Sequence, residues 1–287
     1  MRKLALLIAL LLPVSAAAET VRLGDRFYEI ALPANPKGAP LILALHGGGG
    51  DPDQFARSSG LAVAATRAGF AVAFPAGSGR GRDKLLTWNG GYCCGYAARK
   101  HVDDIGFLKQ VIRDAAARFG TNGTGIYITG MSNGSILAET FAAQNPGLVR
   151  AVAGISGTMD TGHIRVRGKV PALIIHGTAD ENVPYDGGPG ENSHTRTDFA
   201  SVASVVQDFL APWGSVRESA QTIDRKDDGT SVIVIDYQKG GRVVLRLMTV
   251  EGGAHHWPGG RKARMGEGKT QEIDANTELL RFFKAIP

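Results

Sequence analysis

The stretch YITGMSNGSILAE, residues 127–139, decides which fold this sequence is expected to adopt. It begins with β-branched and aromatic residues that favour a buried strand, and it ends with residues that favour a helix. Between them lies the pattern G-x-S-x-G, with Ser132 at its centre. A strand that turns directly into a helix forces the central residue into a strained conformation, and the flanking glycines remove Cβ atoms that would clash. The pattern predicts that Ser132 is a nucleophile at the end of a sheet, and a helix N-cap serine is the structural alternative.

Short apolar runs that resemble buried strands alternate with helical patterns along the chain. The strand-like runs are residues 41–45, 70–74, 125–129, 149–155 and 172–175, and the helical patterns are residues 54–67, 103–119, 135–144 and 197–210. Residues 21–31 resemble an edge strand, residues 231–237 and 242–250 two late strands, and residues 272–285 a closing helix. This alternation predicts an α/β fold with a mostly parallel central sheet and helices on both faces. We expect a single domain over residues 19–287, because no linker or repeat interrupts the pattern.

The first eighteen residues have the composition of an export signal. Met1-Arg2-Lys3 precede an apolar run at residues 4–14, and Ala16-Ala17-Ala18 offer a cleavage site before Glu19. We therefore expect a signal peptide over residues 1–18 and a secreted or periplasmic protein without stable membrane association. Loss of Arg2 and Lys3 lowers the formal net charge from +5 to +3. So small a charge, without a basic block, gives no footprint for nucleic acid.

The two cysteines, Cys93 and Cys94, are adjacent and lie in the first of two long loops, residues 77–101 and 181–196. In an oxidising compartment the cysteines could form a vicinal ring, pair between molecules or remain thiols. Other cysteines and clustered histidine ligands are missing from this sequence neighbourhood, so we expect no structural zinc site. Both loops follow strand ends, where open α/β sheets bind ligands, and loops of this length are usually functional or mobile.

A nucleophilic serine needs a base and a carboxylate that orients the base. In α/β-hydrolases the acid follows the serine along the chain, and the histidine comes last. The apolar run 172–175 leads into HGTAD, which places Asp180 at a strand end. Asp160, just past the preceding strand, is the alternative acid, and a plain turn former is the structural reading of Asp180.

Candidates for the base follow the last predicted strand. His255 and His256 are adjacent there, and His194 is a weaker third candidate in a Gly-rich loop. His46 and His176 come directly before their loops, and we expect them to hold backbone groups by hydrogen bonds.

The oxyanion of the reaction needs two backbone N–H donors. The first donor is expected from Asn133, the residue after the nucleophile, and the second from Gly48 or Gly49 in the run HGGGG at residues 46–50. Glycine lets the backbone approach the substrate carbonyl closely, although a flexible turn would also explain the run.

Six segments in order resemble the polyhydroxybutyrate depolymerase and feruloyl esterase family, exported carboxylesterases of the α/β-hydrolase fold. They are LHGGGG, TWNGGYCCG, VDDIGFLKQVI, YITGMSNGS, IIHGTADENVPYDGG and EGGAHHWPGG. The resemblance runs from about residue 21 to the C-terminus. Aligned on Trp257-Pro258-Gly259, the family's catalytic histidine falls on His255, although His256 and Ala254 depart from the family pattern.

The resemblance also implies that Trp88 and the Cys93-Cys94 loop lie beside the active site. Trp88 is expected either to stack on substrate or to anchor its loop. Tyr185 could line the alcohol side of the pocket or make a lid contact. Trp257 could contact substrate or pack to hold the histidine loop.

Together these residues predict an exported serine esterase that acts through an acyl-enzyme on Ser132, without metal or cofactor. The expected substrates are 3-hydroxybutyrate oligomers or related small esters, and feruloyl or acetyl esters of plant polysaccharide are the alternative. A serine peptidase would use the same triad but generally carries a large extra domain, for which residues 19–287 leave no room. A non-catalytic binding protein would tolerate missing triad members, whereas each role has a candidate here.

Overall fold

A computed structural model of the chain describes residues 18–81, 83–193, 197–260 and 270–286. Apart from Ala18, the expected signal peptide lies outside these residues, and so does His194. The strands are β1 (Glu19–Leu23), β2 (Arg26–Ala31), β3 (Pro40–Leu45), β4 (Ala71–Pro75), β5 (Asn122–Met131), β6 (Val149–Ile155), β7 (Ala172–Gly177), β8 (Gly188–Pro189), β9 (Asp198–Phe199), β10 (Arg217–Ile223), β11 (Ser231–Lys239) and β12 (Arg242–Glu251). The α-helices are α1 (Pro52–Ser59), α2 (Leu61–Arg67), α3 (Gly95–Arg99), α4 (Asp104–Phe119), α5 (Asn133–Gln144), α6 (Val202–Leu210) and α7 (Ala275–Ala285).

Ten of these strands form one sheet in the order β1-β2-β4-β3-β5-β6-β7-β12-β11-β10. The six central strands, from β4 to β12 in this order, pair in parallel. Two antiparallel strands extend the sheet on each side. The carboxyl ends of the central strands therefore meet at one edge, which is where an open α/β sheet places a ligand site.

Helices cover both faces of the sheet, as the alternating pattern predicts. On one face α4, α5 and α6 contribute Phe107, Leu137, Phe141 and Phe209 to a buried cluster. On the other face α1, α2 and α7 contribute Phe55, Leu61, Leu279 and Phe283 to a second cluster. The strands between them are apolar on both sides because both of their faces are covered. None of the helices in the described ranges combines the length and apolar character needed to cross a bilayer.

Two glycines divide elements that the sequence predicts as continuous. Residues 21–31 form the hairpin β1-β2 rather than one strand, since the chain turns at Gly24, where φ is 63°. Residues 54–67 form α1 and α2 rather than one helix. Gly60 lies between them in the left-handed region, with φ 68°, and its N–H closes the end of α1 on the Ala56 carbonyl.

The predicted helix at residues 197–210 begins later than expected. It starts at Val202, because Ser201 caps it by accepting a hydrogen bond from the N–H of Ser204. The residues before the cap belong to β9, which pairs with β8. The strand β10 is absent from the sequence prediction altogether, and its residues are exposed except for the partly buried Ile223.

Candidate active site

Ser132 occupies a sharp turn between β5 and α5. Its φ is 57° and its ψ is −125°, a backbone conformation that is costly for a residue with a Cβ atom. The turn also requires its flanking glycines. A Cβ on Gly130 would meet the backbone of Gly134, and a Cβ on Gly134 would meet the carbonyl of Leu45. The Ser132 side chain makes no capping hydrogen bond to α5. The conformation is thus that of a nucleophile elbow rather than of an N-cap serine.

Asp180 and His255 are in direct contact. Asp180 Oδ2 lies 2.7 Å from His255 Nδ1. The other carboxylate oxygen, Oδ1, accepts the backbone N–H groups of Asn182 and Val183, each at 2.9 Å. Burial would raise the pKa of Asp180, but the imidazoles of His176 and His255 outweigh it and hold that pKa well below its ordinary value. Asp180 is therefore a buried, fixed carboxylate, and because a carboxylate only accepts, Nδ1 of His255 carries the proton in this contact.

The alternative acid and the alternative base have other partners. Asp160 contacts the exposed His163, with its Oδ2 2.9 Å from His163 Nδ1. Nδ1 of His256 is 2.8 Å from the carbonyl of Ala254, two residues earlier, and its Nε2 accepts the N–H of Thr270 at 3.4 Å. Burial lowers the pKa of His256. Both ring nitrogens of His256 are thus used to hold backbone.

The sheet order brings the three predicted triad residues to one edge. Ser132 follows β5, Asp180 follows β7 and His255 follows β12, and only β6 separates β5 from β7. The N–H of Ser132 donates to the Ile155 carbonyl at the end of β6 at 2.9 Å. The next residue, Ser156, donates its hydroxyl to the carbonyl of His256 at 3.2 Å. Ile155 therefore holds the nucleophile turn, and the next residue, Ser156, holds the histidine loop.

The glycine loop after β3 lies against the start of α5. A Cβ placed on Gly48 would be 3.5 Å from the Cβ of Asn133, and a Cβ on Gly47 would be 3.6 Å from that of Ser132. The N–H of Gly49 already donates to the Leu86 carbonyl at 2.8 Å. Within the described residues the N–H of Gly48 has no acceptor. Of the two predicted glycine donors, Gly48 remains available and Gly49 does not.

Trp88 does not present a surface to substrate. Its side chain is fully buried, with the ring centroid 4.9 Å from that of His46, and its Nε1–H donates to the His46 carbonyl at 2.9 Å. The backbone N–H of Trp88 donates to Asn133 Oδ1 at 2.7 Å, and its carbonyl accepts from Asn133 Nδ2 at 3.0 Å. The prediction that Trp88 binds substrate is wrong, and the alternative reading as a loop anchor describes the structure.

Trp257 and Tyr185 also have protein partners. Trp257 is buried, packs edge-to-face on Phe55 at 5.3 Å and donates its Nε1–H to Asn276 at 3.2 Å. It holds the histidine loop on the core, so the substrate-binding prediction for Trp257 is wrong as well. The hydroxyl of the half-buried Tyr185 lies 2.7 Å from Thr249 Oγ1, and its ring packs edge-to-face on His176. Tyr185 therefore packs against the ends of β7 and β12, and its place on the alcohol side of the pocket stays a prediction.

His46 holds backbone, as the sequence predicts. Its Nδ1 lies 2.8 Å from the carbonyl of Gly47, and its Nε2 accepts the N–H of Gly77 at 3.0 Å. Burial lowers the pKa of His46 to about 4, so the ring is neutral.

The loop at residues 77–101 contains both cysteines of the chain. Cys93 and Cys94 form a vicinal disulfide.

Two features of the site are missing from the sequence prediction. One is the side chain of Asn133, whose amide joins the nucleophile helix to the 77–101 loop through Trp88. The other is Glu139, a buried carboxyl two turns into α5 that accepts the N–H of Met159 at 2.8 Å and lies 3.2 Å from the Ser135 hydroxyl. Spacing along α5 places Glu139 below Ser135, but only the fold brings Met159 to it.

Comparisons with known proteins identify a matching family and several relatives. The family described as Esterase PHB depolymerase matches residues 27–166. "Putative esterase NocK" of Nocardia uniformis subsp. tsuyamanensis is 31% identical over 273 residues, which cover 86% of this chain and 75% of that protein. Feruloyl esterase B of Piromyces equi is 26% identical over 225 residues, 76% of this chain and 40% of that protein.

Among solved structures, an acetyl xylan esterase from Aspergillus awamori superposes with a TM-score of 0.62 at 12% identity, covering 94% of this chain and 99% of that one. At such low identity the superposition establishes the fold alone, here the α/β-hydrolase fold. The family match and the NocK relationship go further, and with the serine elbow they lead to one conclusion: the chain belongs to the PHB depolymerase family of esterases and is a carboxylic ester hydrolase.

Proposed function

We propose that the protein is an exported serine esterase whose triad is Ser132, His255 and Asp180, acting on 3-hydroxybutyrate oligomers or related small esters. The observation that carries the triad is the 2.7 Å contact between Asp180 Oδ2 and His255 Nδ1, at the same sheet edge as the strained Ser132. A carboxylate buried beside one ring nitrogen leaves the other free to serve as the base.

The proposed reaction proceeds through an acyl-enzyme. Ser132 Oγ attacks the ester carbonyl while His255 Nε2 accepts its proton, and the imidazolium that forms is stabilised by Asp180. The oxyanion accepts hydrogen bonds from the N–H groups of Asn133 and Gly48, and the N-terminus of α5 favours its negative charge. The alcohol leaves with the proton from His255. Water then attacks the acyl group by the same route, and the acid is released.

The burial of Trp88 bears on the substrate class. An aromatic acid such as ferulate would gain from an exposed aromatic ring near the serine, and Trp88 and Tyr92 are aromatic residues of the 77–101 loop. Trp88 is buried, and the Tyr92 hydroxyl donates to the Thr158 carbonyl at 2.6 Å while accepting the N–H of Ala200. With both rings used by the fold, small aliphatic hydroxyacid esters are the better proposal.

Feruloyl esters of plant polysaccharide are a second candidate. The observation that favours them is the 26% identity to a relative named Feruloyl esterase B. A direct comparison of the two substrate classes decides between these candidates.

The experiment compares purified wild type with Ser132→Ala on p-nitrophenyl acetate, a 3-hydroxybutyrate oligomer and methyl ferulate. We expect Ser132→Ala to lower kcat by at least about 10⁴-fold, because the nucleophile is lost while the fold is kept. We also expect the oligomer to have the higher kcat/KM of the two natural-type substrates in wild type. The intact mass of the protein recovered outside the cytoplasm should correspond to a chain that begins at Glu19.

Equal rates for wild type and Ser132→Ala would refute the triad. A higher kcat/KM for methyl ferulate would replace the proposed substrate with the second candidate. A full-length mass that includes residues 1–18 would refute export with cleavage after Ala18.

A further inference from the structure

We propose that His176 is a positioning residue for the triad, which holds Asp180 beneath His255 through direct contact and through the backbone of Val183. The sequence indicates only that His176 holds backbone. This inference rests on the proposed triad and adds a residue that positions its acid.

The contacts of His176 converge on the acid. Its Nε2 lies 2.8 Å from the carbonyl of Val183 and 3.3 Å from Asp180 Oδ2. The N–H of the same Val183 donates to Asp180 Oδ1 at 2.9 Å. One imidazole N–H therefore faces the oxygen that His255 contacts and also holds the carbonyl of Val183, the residue whose N–H binds the other oxygen. A carbonyl and a carboxylate only accept, so Nε2 carries the proton.

Burying the His176 side chain at this position costs free energy. It is buried at the end of β7, and among the described residues its Nδ1 has no hydrogen-bond partner. A leucine would fill such a position without leaving an unpaired nitrogen, and buried polar atoms without partners are rare in folded proteins. What histidine provides and leucine does not is the Nε2–H that faces Asp180. The cost at Nδ1 thus points to a role for Nε2.

The ring of His176 is itself held in place. Tyr185 packs edge-to-face on it with ring centroids 5.9 Å apart, and the Tyr185 hydroxyl bonds to Thr249 on β12. Thr249 is also the residue opposite His176 in the β7–β12 pairing. The acid and the base follow these two strands, so the contacts around His176 join the supports of both.

Three histidines of the described ranges are the titratable groups near Asp180. His176 approaches from β7 and His255 from the loop after β12, while His256 lies close enough for its own pKa to respond to Asp180. Within the described part of the chain, removing the His176 N–H leaves His255 as the one imidazole donor to Oδ2. More of the carboxylate charge then stabilises the protonated form of His255.

The test compares His176→Leu and His176→Gln with wild type, measuring kcat and KM on p-nitrophenyl acetate from pH 5 to pH 9. His176→Leu should lower kcat by about 10- to 100-fold with KM within about 2-fold, the usual size of a positioning loss. The acidic limb of its pH–rate profile should move upward by about half a unit or more. His176→Gln, which keeps an N–H at similar reach, should recover most of the lost kcat.

Two controls make the result specific. His163→Leu is the same substitution in a histidine–aspartate pair outside the triad, and it should leave kcat and the pH profile unchanged. Thermal melts of every variant measure the folded fraction. Wild-type kcat in a folded His176→Leu variant would overturn the inference, and so would a lower kcat with an unmoved acidic limb, which loss of folded enzyme alone produces. Wild-type activity of Ser132→Ala would refute the proposed triad itself. Wild-type kcat of the His176 variants beside an inactive Ser132→Ala would refute this inference alone.

Discussion

At the scale of single residues, the adjacent histidines in the loop after β12 have different partners because their side chains point in different directions. His255 contacts Asp180, whereas His256 uses both ring nitrogens on backbone groups. Their order along the chain cannot assign these roles, because two neighbouring residues on a loop point in different directions that only the fold determines. Ser132 and Asp180 are predictable, since each follows an apolar strand in a recognisable turn.

Separate alanine substitutions should distinguish the roles of His255 and His256 in activity and stability. We expect His255→Ala to lower kcat by about 10⁴-fold or more, because the proposed base is lost. His256→Ala should keep kcat within about 10-fold while losing roughly 1–3 kcal/mol of unfolding free energy, since a buried ring and its hydrogen bonds are removed. Ester hydrolysis and urea unfolding of both variants check this. An inactive, folded His256→Ala beside an active His255→Ala would reverse the assignment.

At the scale of elements, the 77–101 loop is fastened rather than free. Its attachments include the pairing of Trp88 with Asn133, and the Asp104 carboxylate, which accepts the N–H of Asn89 and forms an ion pair with Arg26. The sequence identifies the loop by its length and its glycines. It cannot show that Trp88 is buried, because the groups that bury it are more than forty residues away along the chain.

Burial of the strands explains which of them can be predicted from the sequence. The central strands are apolar because both faces are covered, so they stand out as short hydrophobic runs. Strand β10, RESAQTI, is exposed along nearly its whole length and shows neither an apolar run nor alternation. It forms because β11 offers it a partner, and a property of the partner cannot be read from the strand itself.

An anchoring role for Trp88 can be tested by a matched pair of tryptophan substitutions. Trp88→Phe should lose about 1–3 kcal/mol of unfolding free energy, because it leaves the His46 carbonyl without its indole donor. Trp213→Phe should be nearly neutral, since the buried indole nitrogen of Trp213 has no partner within the described residues. The ratio of kcat/KM for methyl ferulate and p-nitrophenyl acetate should not change in Trp88→Phe. A selective loss on ferulate with unchanged stability would restore the stacking role.

At the scale of the whole molecule, a buried carboxyl makes stability depend on pH. Burial raises the pKa of Glu139 to about 8, and the hydrogen bonds from Met159 and Ser135 only partly offset this. Above the unfolded value near 4.5 and up to about 8, the folded protein holds a proton that the unfolded chain releases. By linkage, the contribution of Glu139 to stability is fully present below about pH 4.5 and is lost as pH rises through about 8.

Glu139→Gln removes that proton uptake and keeps the shape and the hydrogen bonds. We expect wild type to lose stability relative to Glu139→Gln as pH rises from 5 to 9, by an amount on the order of a few kcal/mol. Urea unfolding of both proteins at pH 5, 7 and 9 gives this difference directly. Parallel stability curves over the whole range would show that Glu139 has an ordinary affinity for its proton.

The pair of hydrogen bonds between the Asn133 side chain and the Trp88 backbone has a consequence for loop exchange among relatives. Asn133 bonds to the main-chain N–H and carbonyl of residue 88, not to its side chain. Asn89 is likewise held by its backbone N–H, and so is Ala97, whose N–H donates to the Thr87 hydroxyl at 3.0 Å. Attachments of this kind accept any residue except proline at the bonded N–H. The segment could therefore be transplanted as a cassette that keeps the buried Trp88 ring and the Thr87 hydroxyl, while its exposed side chains are varied for new esters.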